Sequence, residues 1–313
     1  MNAQKITNKI ILLIIITVVF YAIIVLLSDV NLLLERISDF EFKYLPIIFA
    51  GIGLHIFILG IKFHRLVLKA GINLPFKENL KIFTAGLSLG VTPAGIGTAI
   101  KSHILKNKHG KSISSTLPIV VVERWTELLG ILLLTTVLLF WSSLYESLIA
   151  LVLGYIILGI FLALMVNSKI FTSIKKILTK IKFINNLISV LDESRESLIK
   201  LNTKKNLIEA TAWSILAKFA HLVTVYFIFL AYGVDLGLIL SGQIYYTAMI
   251  FGVISFIPAG IIVTESSMLG LLLGHNVEFA IATLIVILTR IITLWLTTFV
   301  GIFTLKFSFS NVN

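Results

Sequence analysis

The sequence contains no cysteine among its 313 residues, and charged residues make up only 13% of it. Without cysteine, the chain can have neither a disulfide framework nor a thiolate metal site. Soluble domains carry about 25% charged residues, whereas 58% of this chain is apolar. This composition excludes an ordinary soluble domain and predicts an integral membrane protein.

The sequence also lacks the motifs of several enzyme classes. It has no glycine-rich loop that would cradle the phosphates of a nucleotide, no metal-ligand spacing, and no aspartate inside the predicted spans. We therefore expect no catalytic residue, no metal and no cofactor, and the chain is not expected to be an enzyme. An alternative is an embedded enzyme acting on lipid-linked substrates, because a carboxylate pair such as Glu123 and Glu127 can perform acid–base chemistry.

Apolar stretches near the roughly 20 residues that a membrane-spanning helix needs occur repeatedly along the chain. Six of them are predicted spans: 10–27, 44–61, 117–140, 148–166, 207–232 and 279–305. Two further stretches, 82–100 and 238–274, are interrupted by proline and glycine, and we predict broken re-entrant hairpins there, with full crossings as the alternative. The expected fold is an all-α polytopic membrane protein, with residues 1–313 forming a single transmembrane domain.

Basic residues are distributed unevenly along the predicted topology. If both broken stretches are re-entrant, 21 of the 26 Lys and Arg residues lie on the face that holds both termini, 62–116 and 167–206. The positive-inside rule then places that face, with both termini, in the cytoplasm of a cell-membrane protein. This asymmetry explains the net charge of +11 without a nucleic-acid partner.

The segment 168–190 within the basic connection 167–206 has isoleucines at helical spacing and lysines mostly on the other faces. This pattern is typical of an amphipathic helix lying on the membrane surface, where anionic headgroups attract cations. A cytoplasmic loop that follows the positive-inside rule is the alternative interpretation.

The two halves of the chain repeat the same landmarks. Thr84-Ala85 and the break at Pro93 in the first half correspond to Thr247-Ala248 and the break at Pro258 in the second. An intramembrane arginine follows each break. Three spans separate equivalent positions, so the predicted repeats, about 44–166 and 207–305, have opposite orientations in the bilayer.

Unpaired backbone groups at membrane depth are tolerated only when they are buried in protein or face a wet cavity. Transporters use paired helix breaks to place half-helix ends around a substrate site. We therefore predict that the breaks line a cavity, with packing kinks as the alternative. The residues concerned are Pro93, Gly95, Gly97, Pro258 and Gly260.

Charged and polar residues within the spans are candidate substrate-binding residues, because each costs free energy unless it is paired or wetted. The candidates are Glu123, Arg124, Glu127, Lys218, His221, Glu265 and Arg290. Glu123, Arg124 and Glu127 share one helix face. Two carboxylates with one neighbouring cation make a second cation plausible, from a ligand or from another helix. Structural ion pairing is the alternative role.

These motifs resemble the flippase-like membrane family that includes the transmembrane region of lysylphosphatidylglycerol synthases. The resemblance is strongest at 84–135 and 245–300, around the breaks, the "ERWTELLG" helix and the final arginine helix. Pro93, Gly97 and Lys101 match the first family motif, whereas Thr98 replaces its glutamate. In the second motif Glu265 is kept, and Ile262 replaces a glycine.

The resemblance implies a flippase that moves a membrane lipid between leaflets through a charged intramembrane cavity. The lipid would be an anionic or aminoacylated phospholipid or a polyprenyl-linked sugar. The resemblance does not imply the synthase activity. Apart from the resemblance, a separate partner enzyme could supply an activity. The same repeat would also suit a secondary transporter of a small solute or ion, which is the alternative function. No oligomeric state follows from the sequence.

Overall fold

The computed structural model describes residues 18–22, 25, 30–92, 97–142, 144–166, 201 and 203–309. Every regular element in these ranges is helical, which confirms the all-α prediction. The predicted amphipathic segment 168–190 and most of the predicted span 10–27 lie outside the described residues. So do Pro93 and Gly95 at the first break.

The helices of the described ranges are numbered here in chain order. They are α1 (Val30–Ile37), α2 (Leu45–Lys69), α3 (Phe76–Leu87), α4 (Ile100–His109), α5 (Ile113–Leu139), α6 (Glu146–Val166), α7 (Lys204–Ala231), α8 (Gly237–Ile254), α9 (Val263–Gly274), α10 (Phe279–Arg290) and α11 (Leu296–Ser308). Short 3₁₀ turns lie at Phe42–Tyr44 and Pro258–Gly260. A π-helical turn, Ile291–Trp295, joins α10 to α11.

Local sequence signals explain several helix boundaries. The Ser112 and Thr203 side chains accept hydrogen bonds from backbone N–H groups three residues later and so cap α5 and α7. Pro75 precedes α3, and Gly110 ends α4 in the left-handed conformation, with φ of 66°. These helices begin and end where the local sequence favours it.

In the described part of the chain, four helical stretches are long and apolar enough to cross a membrane. They are Phe42–Lys69, Lys204–Ala231, Gly237–Ile254 and Phe279–Ser308. Helix α5 is as long, at 27 residues, but carries three charged residues in its middle. The chain is therefore a polytopic α-helical membrane protein, although the number of crossings stays a prediction.

The first of these stretches corrects a predicted boundary. The apolar run suggested that the span ends near residue 61, but α2 continues to Lys69 and keeps Lys62 within the helix. Lys62 is completely buried. The sequence interpretation had assigned Lys62 and Lys101 to the cytoplasmic face, whereas the structure buries both in the protein interior.

Both broken stretches have the order helix, break, helix. Helix α3 packs against α4 on either side of residues 88–99, and α8 packs against α9 on either side of residues 255–262. Helix α8 alone is long enough to cross a membrane. Whether either pair is re-entrant therefore stays a prediction, as does the inverted repeat.

The second break has an unusual backbone. Phe256, Ala259 and Ile262 have positive φ angles, of 54°, 53° and 76°. Such angles cost free energy for residues with a side chain, most of all for a β-branched residue. Gly260 also has a positive φ, and a methyl group there would lie 2.8 Å from the Cα atom of Gly252. The break is thus tightly packed against the end of α8.

Helices α2 and α7 form the central packed pair and run antiparallel. Their contacts pair early residues of one with late residues of the other. Gly51 lies against Thr224, Nδ1 of His55 donates a hydrogen bond to the Ala217 carbonyl, and Lys62 reaches α7 near its start. A side chain at position 51 would collide with the Thr224 hydroxyl, so the glycine permits this close approach.

The buried apolar residues of the described ranges form two clusters, one at each end of the central helices. On α5 the change from one cluster to the other lies between Val122 and Ile131, and on α7 it lies between Ala220 and Leu222. The charged residues of α5 occupy this boundary. Polar side chains therefore form a layer between two apolar cores.

The outer faces of several helices expose large apolar side chains. Helix α6 exposes Leu148, Ile149, Val152 and Ile156, and α11 exposes a row of phenylalanines that includes Phe303. Contiguous apolar surface of this kind is unfavourable in water but suits contact with lipid chains. The polar layer lies inside and the apolar residues lie outside, as a bilayer requires.

Candidate functional site

The predicted charges of α5 form a connected network. The Arg124 guanidinium lies 3.1 Å from Oε1 of Glu123 and 3.2 Å from Oε2 of Glu127, so it bridges both carboxylates. Both glutamates are buried, whereas the Arg124 side chain is 29% exposed. One helix face thus presents two buried carboxylates held together by an arginine at the edge of the protein.

Two further cations enter this network from other helices. Lys62 of α2 places Nζ 3.3 Å from Oε1 of Glu127 and also donates to the Glu123 carbonyl and the Ser214 hydroxyl. Lys101 of α4 places Nζ 2.5 Å from Oε2 of Glu123. Together with Arg124 they form what we call the first cluster: Lys62, Lys101, Glu123, Arg124 and Glu127.

Neither lysine was among the predicted site residues. Lys62 directly follows the predicted span 44–61, and a basic residue at the end of an apolar run normally marks a membrane boundary. Two signals were present: Phe63 and Leu66 continue the apolar pattern past the lysine, and Lys101 occupies the basic position of the family motif. The further cation expected beside the two glutamates is supplied by other helices, as Lys62 from α2 and Lys101 from α4.

The surroundings of Lys101 fix its side chain. Its ammonium group lies 4.9 Å from the ring centre of Phe63 and 5.2 Å from that of Phe83, at distances suited to cation–π contact. Its aliphatic chain packs against Gly86, where a methyl group would lie 2.7 Å from its Cγ atom. The helix after the first break is therefore attached to α5 through a positioned ion pair.

Lys218 is buried on α7 and belongs to the same region. It interacts electrostatically with Glu127, Lys62 and Arg124. Its backbone carbonyl accepts a hydrogen bond from the Tyr246 hydroxyl, at 2.5 Å. Within the described residues, its ammonium group makes no ion pair or hydrogen bond, in contrast to Lys62 and Lys101.

His221 lies one turn beyond Lys218. Its Nε2 atom is 3.1 Å from the Tyr245 hydroxyl, and its ring contacts that of His55 at a tilt of 45°, with ring centres 4.5 Å apart. His55 is held in turn at the Ala217 carbonyl, at 2.8 Å. The histidines therefore form a buried chain across α2, α7 and α8, and His55 was not among the predicted site residues.

The remaining predicted charges form a second cluster at the second break. Arg290 Nε lies 2.7 Å from Oε1 of Glu265, and its NH2 group donates to the Ala259 carbonyl at 2.6 Å. The Tyr21 hydroxyl also reaches Oε1 of Glu265, at 3.3 Å. Arg290 thus satisfies a backbone carbonyl that the break leaves without a helical partner, and the π-helical turn begins directly after it.

The described glycines of the breaks are packed against protein. The Gly97 amide donates to the Thr92 hydroxyl at 2.6 Å, and a methyl group at Gly97 would lie 2.8 Å from the Leu89 Cβ. Gly260 contacts Gly252 as described above, and Pro258 opens the 3₁₀ turn that carries it. These contacts show that the described residues of the breaks are tightly packed. That they line a cavity stays a prediction.

The polar groups of this site can form hydrogen bonds that are strengthened by charge. The first cluster offers ammonium and guanidinium donors beside carboxylate acceptors, and the second offers one guanidinium beside one carboxylate. In the part of the chain that the structure describes, no three His, Asp or Glu side chains gather as a metal site would need. The donors suit the anionic groups of a headgroup, and the acceptors suit its hydroxyl or amine groups.

Comparison with known proteins shows the family of this chain. The family model for the lysylphosphatidylglycerol synthase TM region matches residues 12–301, which is nearly the whole chain.

Two relatives are described as UPF0104 membrane proteins. One, from Methanocaldococcus jannaschii, is 28% identical over 214 residues that cover 65% of this chain and 86% of the relative. The other, from Pyrococcus horikoshii, is 24% identical over 290 residues that cover 84% of this chain and 86% of the relative. This chain belongs to the lysylphosphatidylglycerol synthase TM-region family of membrane proteins.

Proposed function

We propose that the protein is a lipid flippase, which moves a phospholipid or lipid-linked headgroup between leaflets. One observation carries the proposal: a buried cluster of five charged residues lies among apolar helices and reaches the helix after the first break. Charges at membrane depth are costly unless they serve a pathway or pair with one another. The partial exposure of Arg124 gives this cluster an accessible edge.

In this proposal the headgroup moves through the polar layer between the two apolar cores, and its acyl chains stay in the bilayer. Arg124, Lys218 and Arg290 bind the phosphate, while the glutamates bind hydroxyl or amine groups. The two ion pairs Lys101–Glu123 and Glu265–Arg290 link each break to a long helix. Opening one pair at a time would expose the polar layer to one side of the membrane.

The setting of this activity is also proposed. We place the protein in the cell membrane with both termini in the cytoplasm, because the basic residues are concentrated on that face. A separate enzyme that makes the transported lipid is a suitable partner. The protein itself acts without catalysis in this proposal.

Purified protein reconstituted in vesicles tests the proposal. Fluorescent lipids in the inner leaflet become accessible to a membrane-impermeant quencher only if they cross. We expect faster crossing than in protein-free vesicles and loss of this acceleration in Arg124→Met. Lys205→Met, at an exposed position on α7, is the control. Equal crossing rates with and without the protein, for anionic, zwitterionic and cationic lipids alike, would refute the proposal.

The alternative function, secondary transport of a small solute or ion, rests on the same buried charges. It predicts uptake of a water-soluble compound into vesicles when an ion gradient is applied, without any lipid crossing. The same preparation can therefore distinguish the two functions.

A further inference from the structure

The charges of the first cluster do not balance. Its three cations, Lys62, Lys101 and Arg124, pair directly with only two carboxylates. Lys218 interacts with the same Glu127, so four cations surround two carboxylates among the described residues. A neutral Lys218 would still leave one positive charge in excess.

An uncompensated buried charge is expensive. Moving an ion into an apolar interior costs on the order of several kcal/mol of hydration free energy. The attraction of a partner with opposite charge offsets this cost. Lys218 is 5% exposed, and within the described residues its ammonium group makes no hydrogen bond and no direct ion pair, although Glu127 interacts with it electrostatically. Nε of Arg124 is buried and has no hydrogen-bond acceptor in the part of the chain that the structure describes. Both are donors, so the missing group is an acceptor that carries negative charge.

The second cluster provides a contrast. One arginine there faces one carboxylate, and the arginine also donates to the Ala259 carbonyl. Its charges balance without a ligand, and its unpaired buried atom is an acceptor, Oε2 of Glu265. Among the described residues, the positive excess is therefore a feature of the first cluster and not of the second.

We infer that the first cluster, together with the neighbouring Lys218, binds a phosphate group. The headgroup has net negative charge and no amine, and the Lys218 ammonium group and Nε of Arg124 are the donors. This inference rests on the proposed function and narrows it from phospholipids in general to anionic ones. An aminoacylated headgroup would bring its own ammonium group into a region that already has excess positive charge. Each of the two glutamates is already paired with two cations, so an amine could bind there only by displacing one of them.

Binding measurements on the full-length protein in detergent test the inference. The matched ligands are phosphatidylglycerol, which is anionic, and its lysyl ester, which has the same phosphate but net positive charge. We expect phosphatidylglycerol to bind at least about tenfold more tightly. Phosphatidylethanolamine, with one amine and no net charge, should lie between them. Equal or tighter binding of the lysyl ester would overturn the inference.

Variants of Lys218 separate ligand binding from folding. Lys218→Met should weaken phosphatidylglycerol binding by about tenfold, whereas Lys218→Arg should retain it because the charge is kept. Lys205→Met, exposed on the same helix, should bind as the native protein does. If Lys218→Met fails to fold, the preference of the native protein for phosphatidylglycerol over its lysyl ester still decides the matter. Unchanged binding in folded Lys218→Met would contradict the inference.

Two further measurements are needed. One distinguishes a lipid from a soluble source of the phosphate, and the other distinguishes this inference from the proposed flippase function. Glycerol 3-phosphate that binds with the same dependence on Lys218 would support the anion site and assign a soluble ligand to it. Anionic lipid that binds but does not cross the vesicle membrane would refute the flippase function and leave the inference intact. Faster crossing of the lysyl ester than of phosphatidylglycerol would support the function and refute the inference.

Discussion

Lys101 and Glu123 form a buried ion pair, 2.5 Å between Nζ and Oε2, that joins the helix after the first break to the middle of α5. Glu265 and Arg290 form the corresponding pair at the second break, with the charges exchanged. In both halves the helix after a break is attached to a long helix by opposite charges.

Breaking the first pair should destabilise the protein strongly. Removing one partner of a buried ion pair costs about 3–5 kcal/mol, because the other charge is left uncompensated. We expect Glu123→Gln, which leaves Lys101 without a carboxylate, to lower the melting temperature in detergent strongly. Lys101→Met should lower it less, because Arg124 still pairs with Glu123. The double variant should lose less than the sum of the two. Strictly additive losses would show that the pair contributes nothing as a pair.

The second pair should not tolerate lysine in place of arginine. Arg290 reaches Glu265 through Nε and the Ala259 carbonyl through NH2, and a single ammonium group cannot reproduce both contacts. We expect Arg290→Lys to lower the melting temperature and to increase labelling of a cysteine placed at Ala259. Labelling equal to that of the parent cysteine variant would contradict this prediction.

The backbone at Ile262 should be strained. It has φ of 76° and ψ of −54°, a conformation that glycine adopts readily and a β-branched residue does not. We expect Ile262→Gly to stabilise the protein by about 1 kcal/mol, after allowing for the greater freedom of glycine in the unfolded chain. The melting temperature measures this effect.

Ile261→Gly is the control for that change. Ile261 has an ordinary φ of −56° and is buried, so its substitution should destabilise the protein. A lower melting temperature in both variants would show that Ile262 is not strained.

The close contact of α2 with α7 should depend on Gly51. A methyl group there would collide with the Thr224 hydroxyl, whereas a methyl group at Gly53, on the same helix, would meet no neighbour within 4 Å. Overpacking of this kind costs about 1–3 kcal/mol. We expect Gly51→Ala to lower the melting temperature and Gly53→Ala to leave it unchanged or slightly raised. The same response at both positions would contradict this packing.

Much of the broad description followed from the sequence. The scarcity of charge and the long apolar runs predicted a polytopic α-helical membrane protein, and the described helices confirm it. The motifs around Pro93, Glu123 and Glu265 predicted the family, which the family match confirms. These features are local in the chain, so that one stretch of sequence suffices to recognise each.

The composition of the charged cluster could not be obtained in this way. Lys62 and Lys101 lie at the ends of apolar runs, where a basic residue normally marks a membrane boundary. Their burial depends on how far α2 extends and on how α4 packs against α5. The length of α2 and the packing of α4 both depend on contacts between residues that are distant in sequence.

The sequence by itself determined the class of the protein, its apolar spans, the positions of its two breaks and its family, because these depend on composition and on neighbouring residues. Only the tertiary structure decided which charges meet. It placed Lys62, Lys101 and Arg124 around Glu123 and Glu127. It left the Lys218 ammonium group near Glu127 but without an ion pair or hydrogen bond among the described residues. The physical reason is that a charge buried in an apolar protein is stabilised by its spatial neighbours, and these come from separate helices.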